Sequence, residues 1–142
     1  MDISYFEEIP DVEIYEELRT SVDWKVFCRE QSEKALTNSQ YCIVAKAENE
    51  TVAMGRAVGD GMYYTIVDVI VRPEYQGQKI GKTILNRLVD LISKDTPTGG
   101  RTSIQLIAAS GKEGFYVKQG FKILPRLYTA VFQVLSDLGL YI

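Results

Sequence analysis

The stretch Val69-Ile70-Val71-Arg72-Pro73-Glu74-Tyr75-Gln76-Gly77-Gln78-Lys79-Ile80-Gly81-Lys82-Thr83 decides the fold. Its start completes the run Ile66-Val67-Asp68-Val69-Ile70-Val71, apolar at every position but one, as a central strand covered on both faces requires. Asp68 is the single break. Pro73 stops the strand, and a glycine-bearing loop follows. From about Gly81 a helix is expected, with Ile80, Ile84, Leu85, Leu88, Leu91 and Ile92 at helical spacing. A helix start of this kind offers unpaired N–H groups and the positive end of the helix dipole, which together hold phosphate without a dedicated side chain. Lys79 and Lys82 add charge. An ordinary strand-to-helix connection has the same outline, so the loop alone leaves both readings open.

Working outward, Gly59-Asp60-Gly61 is a hairpin signal between the strands Thr51–Val58 and Met62–Val71. Tyr41–Ala47 supplies a further strand, turning at Glu48–Glu50. Before it, Ile3–Ile9 reads as a short strand. A helix carrying Val12, Tyr15, Leu18 and Arg19 follows, with Asp11 as its cap, and a second helix runs from about Val26 to Leu36. On the far side, Thr96–Gly100 is a loop, Ser103–Ala109 a buried strand and Lys112–Lys118 a short helix stopped by Gly120. Phe121–Leu124 and Tyr128–Leu135 are expected to form the last strands. An antiparallel group followed by strand–loop–helix–strand describes a mixed α/β sheet.

The whole chain has 142 residues, with 46% hydrophobic and 25% charged residues, in line with one globular domain spanning 1–142. No apolar stretch reaches the about 20 residues of a membrane span, and the acidic start MDISYFEEIPD is unlike a signal peptide. Sixteen basic against nineteen acidic residues argue against nucleic acid as a partner. The chain contains no histidine, which removes Ser-His and Cys-His catalysis and most zinc sites; no metal is expected. Cys28 and Cys42 read as small buried hydrophobes in a reduced, cytoplasmic compartment.

Two phosphate-binding families compete for the loop. Gly77-Gln-Lys-Ile-Gly81-Lys82-Thr83 is similar to a P-loop but has three residues between its glycines where four are required. The closer resemblance is to the GNAT N-acetyltransferases, whose acyl-CoA pyrophosphate loop follows Gln/Arg-x-x-Gly-x-Gly/Ala after the fourth strand. Gln76 and Gly81 take the outer positions, and Lys79 replaces the middle glycine. A second segment, Ala108-Ala109-Ser110-Gly111-Lys112-Glu113-Gly114-Phe115-Tyr116-Val117-Lys118-Gln119-Gly120-Phe121, resembles the family's Phe-Tyr-x-Lys-x-Gly-Phe ending. The resemblance covers about Tyr41 to Leu124.

It implies a GNAT fold with a splayed parallel strand pair and helices on both faces of the sheet. It also implies direct transfer of acetyl from acetyl-CoA to the primary amine of a small molecule or peptide. The CoA contacts it implies are Val69, Ile70 and Val71 on the strand, Gln76, Gly77, Gln78, Lys79, Ile80, Gly81, Lys82 and Thr83 in the loop, and Ser110, Lys112 and Phe115 beyond. Tyr116 falls where many members place the acid that protonates the departing thiolate; its alternative is a packed aromatic beside Phe115 and Phe121. Many relatives carry a glutamate base three residues before Asp68, where this chain has Thr65. That leaves Asp68 as the base, a water relay, or Asp68 as a structural aspartate bonded to backbone or to a tyrosine. Arg56, Asp60, Tyr63 and Tyr64 border the expected acceptor pocket, and Trp24 and Phe27 can cap it. The other readings are a non-catalytic acyl-CoA-binding module and a P-loop nucleotide binder. The apolar tail Tyr128–Ile142 either covers the core or pairs with a second copy in a homodimer.

Overall fold

Alternation in the four longest strands sorts side chains onto two faces of one sheet, and helices cover both. The computed structural model describes residues 2–123. The strands are β1 (Ile3–Glu7), β2 (Tyr41–Ala47), β3 (Glu50–Gly59), β4 (Tyr63–Val71) and β5 (Ser103–Leu106), in the sheet order β1-β2-β3-β4-β5. The first four pair antiparallel in sequence. The Ser103 amide bonds the Met62 carbonyl at 2.9 Å and the Gln105 side chain bonds Thr65 Oγ1 at 3.3 Å, so numbering rises together along β4 and β5. The sheet is therefore mixed, antiparallel through β4 and parallel between β4 and β5, as expected. The helices are α1 (Val12–Ser21), α2 (Arg29–Thr37), α3 (Ile80–Asp95) and α4 (Glu113–Lys118).

One face holds Cys42, Val44, Met54 and Ile70 against Val12, Tyr15 and Leu18 of α1 and Leu36 of α2. On the other, α3 lays down Ile80, Ile84, Leu85, Leu88 and Ile92, all buried. Gly55 of β3 lets α3 approach: a Cβ there would lie 2.6 Å from Ile84 Cγ2 and 3.2 Å from Leu88 Cδ1. Tight packing of this kind accepts no added methyl without displacing the helix.

The hairpin after Gly59 forms as expected. Asp60 Oδ1 accepts from the Met62 and Tyr63 amides, both at 2.9 Å, and Gly61 takes φ +96°. Several expectations shift. The helix expected from Val26 starts at Arg29, because residues 22–28 are held by α1: the Trp24 amide donates to the Arg19 carbonyl at 2.9 Å. Cys28 is exposed, and only Cys42 is buried. β5 stops at Leu106, short of Ala109. Phe121–Ile123 have no regular secondary structure; Leu124 and the expected strand Tyr128–Leu135 lie outside the described residues. Chain contacts divide two compact units, Met1–Gln105 and Leu106–Ile142.

Candidate active site

In the first unit the site is built where β4 ends and α3 begins. A single 3-10 turn, Pro73–Tyr75, breaks the strand, and Gln76 Nε2 donates back to the Val71 carbonyl at 3.0 Å. The Gln76 side chain therefore ties the loop to the strand. Gly77 takes φ +80° with open space around it. Lys79 is the cap of α3 and lies in the left-handed region at φ 64°, ψ 16°. Lysine thus takes a backbone conformation that glycine adopts most readily, at the position where the resemblance expects glycine. Thr83 makes the first helical bond, its amide donating to the Lys79 carbonyl at 3.1 Å and its Oγ1 at 3.0 Å. The amides of Ile80, Gly81 and Lys82 precede that bond and point out of the helix start. Ile80 is buried, whereas Gly77, Gln78, Lys79 and Lys82 are exposed. This row of amides, flanked by two ammonium groups, suits a doubly charged pyrophosphate.

A lysine at positive φ carries strain that glycine lacks, on the order of 1 kcal/mol. Lys79→Gly is expected to hold or raise the melting temperature, whereas β-branched Lys79→Val lowers it by several degrees. A Lys79→Val protein as stable as the parent would contradict the left-handed cap.

Val69, Ile70 and Val71 form the end of β4. The Met62–Ser103 and Thr65–Gln105 bonds place β5 beside the beginning of β4. Just before them the register breaks. Met54 faces Ile70 and Arg56 faces Val67, so Gly55 alone stands opposite Asp68 and Val69. This is a β-bulge, and Asp68 occupies its left-handed position at φ 54°, where glycine is usual.

Asp68 is 5% exposed, and both its oxygens are engaged. Oδ1 accepts from Arg19 Nη1 at 2.7 Å; Oδ2 accepts from Tyr15 Oη and from Arg56 Nε, each at 2.8 Å. Two arginines and a buried phenol surround it, the pattern of the structural aspartate. Burial, then the neighbouring Asp68 charge, pushes the Tyr15 phenol up to about 12. Arg19, 5% exposed, also donates from Nε to the Lys25 carbonyl at 2.7 Å. Its guanidinium carbon lies 5.9, 5.4 and 5.2 Å from the ring centres of Tyr15, Trp24 and Phe27. Arg19 was legible only as a helix position; an arginine on the apolar face of an amphipathic helix, with a lone acid in the central strand, was the available signal.

The expected acceptor contacts have other partners. Arg56 is spent on Asp68, and its Nη1 reaches Ser39 Oγ at 3.3 Å and the Ala35 carbonyl at 3.4 Å. Tyr64 is 1% exposed, stacked on Tyr41 and bonded to Asp95 at 3.2 Å, with its phenol pushed up to about 12 by burial and that bond. Asp60 caps its hairpin, where two amide donors hold its carboxyl below the usual range. Trp24 and Phe27 flank Arg19, and Tyr63 is exposed.

The second unit carries Ser110, Lys112, Phe115 and Tyr116. Ser110 and Lys112 are exposed and Phe115 is half-buried. Tyr116 lies buried on α4, edge-on to Phe115 at 5.0 Å and to Phe121 at 6.2 Å. Burial alone pushes its phenol up to about 12. The Phe121 amide closes the turn on the Tyr116 carbonyl at 3.2 Å, with Gly120 at φ +99°.

The sequence profile of the acetyltransferase (GNAT) domain matches residues 38–123, more than half of the chain. The chain belongs to the GNAT acetyltransferase family. This GNAT chain is 30% identical over 124 residues to an uncharacterized N-acetyltransferase from Pyropia yezoensis, covering 82% of itself and 69% of that protein. It is 41% identical over 76 residues to serotonin N-acetyltransferase 2, chloroplastic, from Oryza sativa subsp. japonica, covering 52% of itself and 36% of that protein. The chain thus spans about a third of that curated relative's length. A probable acetyltransferase of unknown function from meticillin-resistant Staphylococcus aureus superimposes with a TM-score of 0.79 at 30% identity, covering 86% of this chain and 91% of that one. Among the described residues no helix is long and apolar enough to cross a membrane, and no group of three or more His, Cys, Asp or Glu is placed to hold a metal.

Proposed function

We propose that residues 1–142 form one acyl-CoA N-acyltransferase domain that moves acetyl from acetyl-CoA directly to a primary amine of a small molecule or peptide. Family membership supports it, and the profile match runs across both compact units. The observation that carries it is the α3 start: a left-handed Lys79 followed by the outward amides of Ile80, Gly81 and Lys82, set at the end of β4.

Acetyl-CoA supplies the activated thioester. The amides from Gln78 to Lys82 hold its pyrophosphate, with Lys79 and Lys82 neutralising charge. The backbone of Val69–Val71 orients the pantetheine arm, and its N–H groups favour negative charge developing on the thioester oxygen. Ser110, Lys112 and Phe115 are the further CoA contacts that the family resemblance implies. Tyr116 keeps its proton at any working pH and gives it to the departing thiolate. The amine loses its proton to ordered water, with Asp68 held by Tyr15, Arg19 and Arg56. The compartment proposed is the cytoplasm.

The test has two steps. Acetyl-CoA is expected to raise the melting temperature while ATP does not, and a panel of primary amines is then screened for release of free thiol. Stabilisation by ATP alone would overturn the assignment in favour of a nucleotide binder. The engaged Asp68 is the one observation that favours a non-catalytic acyl-CoA-binding module; stabilisation without thiol release across the panel would select it.

A further inference from the structure

Asp68 combines three features that seldom coincide. It is buried, it stands in the left-handed region, and it accepts from three side chains on two different elements. Tyr15 and Arg19 come from α1, and Arg56 comes from β3. A non-glycine residue in the left-handed region is strained, and the bulge sets one extra residue of β4 opposite Gly55, so the backbone direction here must be held by its surroundings. The three donors do this by fixing the carboxylate from both sides. The residues that follow immediately are Val69, Ile70 and Val71.

We propose that Asp68 is a positioning residue: held by Arg19, Arg56 and Tyr15, it locks the β4 bulge and so sets the direction of the Val69–Val71 backbone toward the acyl-CoA arm. This rests on the CoA site described above. Arg19 extends the device, because the same guanidinium holds the Lys25 carbonyl and stacks on Trp24 and Phe27. One side chain thus joins the α1–α2 connection to the bulge. The charged and titratable groups facing Asp68 are Arg19 and Tyr15 from α1, Arg56 from β3 and Cys42 from β2.

The experiment compares Asp68→Asn with Asp68→Ala at a temperature where circular dichroism shows both folded. Both remove the carboxylate, but asparagine adopts the left-handed region far more readily and keeps one acceptor oxygen where the carboxylate has two. Calorimetry gives acetyl-CoA affinity, and the pH–rate profile is recorded with the best amine from the screen. Positioning predicts that Asp68→Asn keeps affinity within about threefold and retains the acidic limb of the profile, while Asp68→Ala loses about tenfold or more in affinity. Unchanged affinity in Asp68→Ala would overturn it. So would an Asp68→Asn protein that binds normally yet loses turnover and the acidic limb together, the mark of a general base. Where Asp68→Ala does not fold, Asp68→Asn decides by that second criterion. A wild-type chain without affinity for acetyl-CoA would instead sink the CoA site itself, an outcome separate from either variant result.

Discussion

Tyr116→Phe is expected to lower turnover about 100-fold with little change in the KM for acetyl-CoA. The substitution removes one hydroxyl and keeps the ring that packs edge-on against Phe115 and Phe121, so α4 retains its shape. The effect is set near the lower end for general acids because burial has pushed the phenol up to about 12. A group that holds its proton so firmly is always charged with it, yet gives it up less readily than an ordinary tyrosine. The sign follows: the acid is active while protonated, so this group causes no loss of rate until pH rises toward about 12. A general-acid tyrosine of ordinary acidity would instead dim the rate near pH 10. Undiminished turnover in Tyr116→Phe would make this residue a packed aromatic and nothing more.

Arg19→Ala is expected to cost about 3–5 kcal/mol, or about 10–15 °C in melting temperature. The loss has three parts. Asp68 gives up one of its two ion pairs in a site 5% exposed, the Lys25 carbonyl loses its donor, and the space between Tyr15, Trp24 and Phe27 empties. Arg19→Lys should recover less than half of the loss. An ammonium cannot serve Asp68 and the Lys25 carbonyl in the directions a planar guanidinium does, and it stacks poorly on rings. A lysine variant as stable as the parent would show that charge alone, and not the fork, holds this centre. The surface pairs Arg29–Glu13 and Lys94–Asp90, both well exposed, are expected to contribute little by comparison.

Local signals were legible wherever the chain's own chemistry decides the outcome. Pro73 ends β4, Gly59-Asp60-Gly61 turns the hairpin, and the spacing from Ile80 to Ile92 sets the buried stripe of α3. Boundaries that depend on a distant partner were not legible. α2 begins three residues later than its composition suggests because Arg19 captures the preceding segment through Trp24 and Lys25. β5 is shorter than its apolar run. Arg56 and Tyr64 were legible as residues on or beside the hairpin that borders the expected acceptor pocket; their partners, Asp68 and Asp95, were not.

The amino-acid sequence by itself determined the family, the mixed sheet, the glycine-bearing loop that leads into α3, and the lack of histidine chemistry. Each of these follows from residues adjacent in the chain or from composition, which need no fold to be read. Only the tertiary structure decided the backbone conformation of Asp68 and Lys79. Both are residues where glycine is the usual occupant of a left-handed position, and a one-dimensional pattern does not display a φ angle. Nor does it display that Tyr15, Arg19 and Arg56, 53, 49 and 12 positions away, converge on one carboxylate. Which groups hold a buried acid's oxygens is settled only in three dimensions.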